Sequence, residues 1–97
     1  MIAVHSIFVC KPGNAGKLAK LFKEWVDIRR DKNGSVMTDM TGQFHRVIIA
    51  ESYPSLAAYE EEQKNMGQKP EEKALMEKFK DVNEMYVSGS REILKVW

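Results

Sequence analysis

The sequence lacks most of the features that define specialised protein classes. Cys10 is its single cysteine, so an intrachain disulfide is impossible and a reducing cytoplasm is the expected compartment. Fifteen basic and 14 acidic residues leave a net charge of +1, which gives no electrostatic reason to expect nucleic acid or an anionic membrane as a partner. The opening run MIAVHSIFVC has no basic segment, and no apolar run approaches the roughly 18 residues that span a bilayer. We therefore expect neither a signal peptide nor a membrane span.

The composition is that of one ordinary globular domain. Hydrophobic residues make up 43% of the chain and charged residues 30%, and residues 1–97 fall within the size of a single domain. A chain this short buries only about 60–65% of the surface that it exposes when unfolded. Association with a second chain would therefore add useful buried surface.

The first half of the chain is patterned as strand, helix and hairpin. Residues 2–10 are rich in β-branched side chains and predict a strand. Residues 15–30 carry apolar side chains at i, i+3, i+4 and i+7, the spacing of one helical stripe. Residues 35–41 and 44–52 predict two strands around Gly42-Gln43, which fits a type II′ turn.

The second half predicts an interrupted helix and a last strand. A helix begins at Pro54-Ser55, residues 67–70 interrupt it, and Pro70 begins a new helical segment. Residues 85–97 predict the last strand, with a bulge at Gly89. The order βαββαβ is that of a ferredoxin-like α+β plait, in which a four-stranded antiparallel sheet has its helices on one face.

Both faces of the predicted sheet are partly apolar. Two apolar sets alternate along the first strand: Ile2, Val4 and Phe8, and Ala3, Ile7 and Val9. The helices can cover one face, and a bare face of several hundred Å² is more than a monomer usually exposes. Burying roughly 800 Å² per partner would contribute on the order of 20 kcal/mol, against an association entropy of about 4–15 kcal/mol. We therefore expect a homodimer through the open sheet face, with Trp97 either reaching across it or folding back on its own chain.

A family resemblance supports this assembly. The segment TDMTGQFHRVIIAESYPSLAAYEE and the ending SGSREILKVW resemble NIPSNAP-type and related small proteins of the dimeric α/β-barrel superfamily. That superfamily includes antibiotic-biosynthesis monooxygenases, haem-degrading monooxygenases and muconolactone isomerases. The resemblance implies a dimeric α/β barrel that holds its ligand between sheet and helices. The haem-degrading members use an Asn on an early strand and a Trp and a His from the second helical region. The predicted first strand has no Asn, and residues 55–79 contain neither Trp nor His, so we do not expect haem degradation. We also expect no cofactor.

The candidate catalytic residues are His5, His45 and Arg46. The two histidines are the only ones in the chain, and no His or Cys spacing is typical of a metal site, so we expect no metal. Each histidine has a structural alternative as a partly buried, hydrogen-bonded side chain. In the predicted hairpin Arg46 lies opposite Asp39, which indicates either a cross-strand ion pair or an anchor for a substrate carboxylate or phenolate.

The candidate ligand-binding residues are the aromatic side chains Phe22, Trp25, Tyr53 and Tyr59, which can serve either as core or as the wall of a ligand cage. Two functions follow from these candidates. One is a homodimeric barrel that binds a small apolar or aromatic molecule, and the other is a cofactor-independent monooxygenase or isomerase on the same fold. A cleft lined by a histidine together with Arg46 would favour the enzyme.

Overall fold

Four strands of the described residues form one antiparallel sheet. The computed structural model describes residues 1–39 and 45–97. The strands are β1 (Ile2–Cys10), β2 (Ser35–Thr38), β3 (Arg46–Tyr53) and β4 (Tyr86–Lys95). They lie in the order β2-β3-β1-β4. This order and the alternation of strands with helices are those of the predicted ferredoxin-like plait.

The described residues form three α-helices between the strands: α1 (Ala15–Ile28), α2 (Leu56–Asn65) and α3 (Pro70–Lys78). Ser55 caps α2, since its Oγ accepts a hydrogen bond from the Ala58 backbone N–H at 3.1 Å. Pro70 occupies the first turn of α3, where its missing N–H costs nothing. The predicted break between the two helical segments is confirmed.

The hairpin register agrees with the prediction where the structure describes it. Val36 pairs with Ile49, and Thr38 pairs with Val47. The two strands are shorter than predicted, because β2 ends at Thr38 and β3 begins at Arg46. The predicted turn at Gly42-Gln43 lies outside the described residues.

The bulge predicted at Gly89 is wrong. The register between β1 and β4 shifts between Val9 and Cys10, which pair with Ser88 and Tyr86, so Val87 is the extra residue. Gly89 pairs regularly with Phe8. A glycine in a strand signals weak packing, but it does not by itself fix where a register shifts.

The helices lie against one face of the sheet, called here the covered face, and leave the other face open. The hydrophobic core lies between α1 and the covered face. Leu18 and Phe22 of α1 pack with Val47 and Ile49 of β3, and all four are buried. Gly34, just before β2, approaches Val26 of α1 so closely that an added Cβ would lie 3.0 Å from the valine side chain. β4 is exposed along residues 87–95, so the helices do not cover this edge of the sheet.

Candidate functional site

A cavity of about 170 Å³ lies between the sheet and the helices. Its wall is mainly aromatic and thioether: Phe8, Phe22, Trp25, Met66, Met76 and Phe79. The rings pack against one another, with centroids 4.9 Å apart for Phe8 and Phe22 and 6.0 Å apart for Phe22 and Phe79. Because aromatic faces and flexible methionines adapt to apolar shapes, this wall suits an apolar or aromatic molecule.

Arg29 forms the inner polar end of the cavity. It follows α1 directly, and its side chain is only 3% exposed. Its Nη1 donates to Glu51 Oε1 at 3.1 Å, and its Nη2 donates to Tyr53 Oη at 2.9 Å and to Glu62 Oε1 at 3.3 Å. Lys32 Nζ lies 3.5 Å from the second oxygen of Glu62. Lys32 Nζ also lies 3.0 Å from Oδ2 of the exposed Asp31. Each cation here is therefore paired with at least one carboxylate.

Burial and these neighbours shift the pKa values of the inner groups. Burial raises the pKa of Glu51 above its ordinary value, although Arg29 partly opposes the shift. Burial and the adjacent Glu51 raise the pKa of Tyr53 to about 12, so this phenol stays protonated. Burial lowers the pKa of Arg29, but Glu51 and Tyr53 more than offset this and leave it above the ordinary value.

Arg29, Lys32, Glu51, Tyr53 and Glu62 form an inner cluster. Two of its atoms are buried without a hydrogen-bond partner among the described residues. They are Arg29 Nε and Glu51 Oε2, and both residues line the cavity. Unsatisfied buried polar atoms are uncommon because each costs free energy. These two atoms give the cavity unused hydrogen-bonding capacity at its inner end.

Arg91 lies at the outer end of the cavity, on the exposed strand β4. Its Nη1 donates to Tyr59 Oη at 2.6 Å, and its Nε donates to Ser6 Oγ at 3.2 Å. The guanidinium carbon is 6.0 Å from the centre of the Tyr59 ring. Arg91 thus joins the sheet to α2 across the mouth of the cavity.

Three of the four aromatic candidates line the cavity. They are Phe22, Trp25 and Tyr59. Tyr53 lies beside the inner cluster, where it is buried and bonded to Arg29 and Glu51. Arg29 was not predicted from the sequence as a site residue, although it continues the apolar stripe of α1 at positions 18, 22 and 25 by one further turn.

The candidate catalytic residues lie elsewhere. Val4 and Ser6 line the cavity, so strand alternation places His5 on the opposite face, across from Ala50 and Glu92. The His45 carbonyl accepts a hydrogen bond from Cys10 N at 2.7 Å. Arg46 forms the predicted ion pair with Asp39, with Nε 3.0 Å from Oδ1.

No group of three or more metal-ligating side chains occurs among residues 1–39 and 45–97. Within the same ranges, no helix has the length and apolar character needed to cross a membrane.

Solved structures share this fold over nearly the whole chain. An uncharacterized NIPSNAP-like domain protein from Burkholderia xenovorans superposes with a TM-score of 0.77 at 20% identity, covering 99% of this chain and 84% of that one. A NIPSNAP family protein from Agrobacterium tumefaciens gives 0.77 at 19% identity, covering 99% and 85%. A structure described as an antibiotic biosynthesis monooxygenase gives 0.68 at 16% identity, covering 100% and 99%.

No protein-family model matches the sequence, and no curated protein matches it. At the identities of the solved structures, the likeness establishes the fold. The chain is therefore an α+β protein with the ferredoxin-like plait of the NIPSNAP and antibiotic biosynthesis monooxygenase structures.

Proposed function

We propose that the protein is a homodimeric α/β barrel that binds a small apolar or aromatic molecule between its sheet and its helices. The observation that carries the proposal is the cavity of about 170 Å³ with its aromatic and thioether wall. An apolar cavity of about 150 Å³ is enough to bind benzene. The expected ligand is therefore a compact molecule built around one ring.

The proposal of a dimer rests on the face of the sheet that the helices leave open. Ile7 and Ile48 pair directly across β1 and β3 on this face, and Met37 pairs with Ile48 from β2. Leu94 of β4 lies on the same face and is 45% exposed. A second copy related by a two-fold axis would cover this apolar surface with its own equivalent. Trp97, fully exposed at the end of the chain, is available to reach across. Light scattering should then give twice the 11.2 kDa chain mass.

Ligand binding is testable with a neutral ring-sized probe. Fluorine NMR of 4-fluorobenzyl alcohol should show saturable line broadening with the wild-type protein. Met66→Trp, which fills the cavity from its wall, should abolish the broadening. Leu56→Trp is the matched control, because Leu56 is on α2 but 50% exposed and outside the cavity.

Circular dichroism must show that both tryptophan variants fold. A wild-type protein that gives no saturable broadening would contradict the binding proposal. So would broadening that survives unchanged in folded Met66→Trp.

A second candidate function is a cofactor-independent isomerase or monooxygenase, and the environment of Glu51 is the observation that favours it. Its unpartnered Oε2 and raised pKa suit a carboxyl that takes a proton from one ligand carbon and returns it to another. His5, His45 and Arg46 are absent from the cavity lining, so among the described residues Glu51 carries this candidate. Solvent deuterium should enter a bound ligand with the wild type and not with Glu51→Gln; equal exchange in both proteins would exclude this role.

A further inference from the structure

We propose that the ligand is an anion: a small aromatic or apolar carboxylate whose charged group binds Arg91 at the mouth of the cavity. This inference rests on the proposed binding function and adds the chemical class of the ligand. It places the ring against the apolar wall and the carboxylate at the outer end.

The charges around the cavity leave Arg91 uncompensated. Arg29 is paired with Glu51 and Glu62, and Lys32 is paired with Glu62 and with the exposed Asp31. Arg91 forms no ion pair with any carboxylate of the described residues, and Glu92 beside it faces the other side of the sheet. Of the charged side chains that line the cavity, Arg29 and Glu51 are paired with each other, so Arg91 brings a positive charge without a carboxylate partner to its mouth.

The two partners of Arg91 hold it in place without neutralising it. Ser6 and Tyr59 contact it through neutral hydroxyl groups at 3.2 and 2.6 Å. Its Nη2 has no hydrogen-bond partner among the described residues. A guanidinium presents a planar fork that matches a carboxylate, and the Tyr59 hydroxyl, which accepts from Arg91, still has a proton to donate. The structure thus presents two donors oriented by their neighbours.

The inner end disfavours the reverse orientation. The inner end offers a carboxylate one unpartnered donor, Arg29 Nε, but also the unpartnered oxygen of Glu51, and the Arg29 charge is already shared between Glu51 and Glu62. Like charges in a buried site repel strongly. A ligand with its ring inward instead places apolar atoms beside Phe22 and Trp25.

The test compares two probes of nearly equal shape, 4-fluorobenzoate and 4-fluorobenzamide, in fluorine NMR titrations of the full chain. The wild type should bind the benzoate about tenfold more tightly than the benzamide, as expected for a charge-assisted hydrogen bond at a partly exposed site. Arg91→Gln should weaken benzoate binding by about tenfold and change benzamide binding by less than about twofold. Arg30→Gln is the control, because Arg30 is an exposed arginine that donates to the Asp27 carbonyl, away from the cavity.

The possible outcomes distinguish failure of the anion proposal from failure of the proposed binding function. If both probes bind the wild type equally, or if Arg91→Gln weakens them equally, the anion proposal is overturned while binding stands. If neither probe binds, the binding proposal itself fails. Retained benzamide binding in Arg91→Gln shows that the site is still folded, so a selective loss of benzoate affinity supports the assignment.

Discussion

The two faces of the sheet differ although the same strands build them. On β3, Val47 and Ile49 point toward the helices and are buried, whereas Ile48 between them points away and is only partly covered. The alternation of a pleated strand puts neighbouring residues in different surroundings. The comparison teaches that an apolar residue on this sheet belongs either to the core of the chain or to the surface proposed to bind a second copy.

The two faces also differ in how deeply their polar groups are buried. On the covered face Arg29 and Tyr53 are buried, and both are bonded to Glu51, whose side chain is 10% exposed. On the open face the ion pair of Arg46 and Asp39 is partly exposed, with 33% of the Arg46 side chain accessible. Exposed pairs contribute little free energy, whereas buried groups depend on their partners. The groups best placed for ligand chemistry are therefore on the covered face.

The largest expected effect comes from placing a charge on each face in turn. Ile49→Lys puts an unpaired ammonium group into the core and should cost on the order of 3–5 kcal/mol, enough to unfold much of a small domain. Ile48→Lys should cost less than about 1 kcal/mol in the monomer, because lysine can extend into water there. Ile48→Lys should instead reduce the mass found by light scattering to the 11.2 kDa of one chain.

A third lysine controls for the effect of charge alone. Ile28→Lys is on α1, 38% exposed and on the helix side of the molecule, so it should leave both fold and dimer intact. If Ile48→Lys remains dimeric, the open face is not the interface. If Ile49→Lys folds as well as Ile48→Lys, the two faces do not differ as described.

The fold was predictable from the sequence because its periodicities are clear. The stripe of Leu18, Phe22 and Trp25 marks a helical face, and the alternation along residues 2–10 marks a strand. The bulge was not predictable, because a register shift depends on how β1 and β4 meet across many residues. The bulge was predicted at Gly89, whereas Val87 is the extra residue in β4.

The site was only partly predictable, for a related reason. Aromatic residues on core-facing helix positions lead directly to Phe22, Trp25 and Tyr59. Arg91 reaches Tyr59 and Ser6 only because β4 pairs with β1 in a register that places Ser6 opposite Arg91. Histidine is a chemically suggestive residue type, but the pleat of β1 turns His5 away from the cavity, and His45, just before β3, is not among the residues that line it. Contacts between residues 32 and 85 positions apart are set by tertiary structure.

A smaller effect would sharpen the contrast between buried and exposed carboxylates. The pKa of Glu51 is raised in the folded protein above its ordinary value of 4.5, so the native state holds this proton more tightly than the unfolded state. From about pH 4.5 upward to the raised pKa, the native protein binds more protons, and this group makes the free energy of unfolding fall as pH rises. Below that window both states are protonated, and above it both are ionised.

Urea unfolding of the wild type and Glu51→Gln across this range measures the effect. The stability of the wild type relative to Glu51→Gln should decline with pH by at most about 1.4 kcal/mol per pH unit, and then level off. Glu60→Gln, an exposed change on α2, should show no such decline relative to the wild type. A relative stability that instead rises with pH would mean that Arg29 outweighs burial and lowers the pKa of Glu51. That result would leave an ionised carboxylate with a free oxygen at the inner end of the cavity, and would weaken the case for Glu51 as a proton carrier.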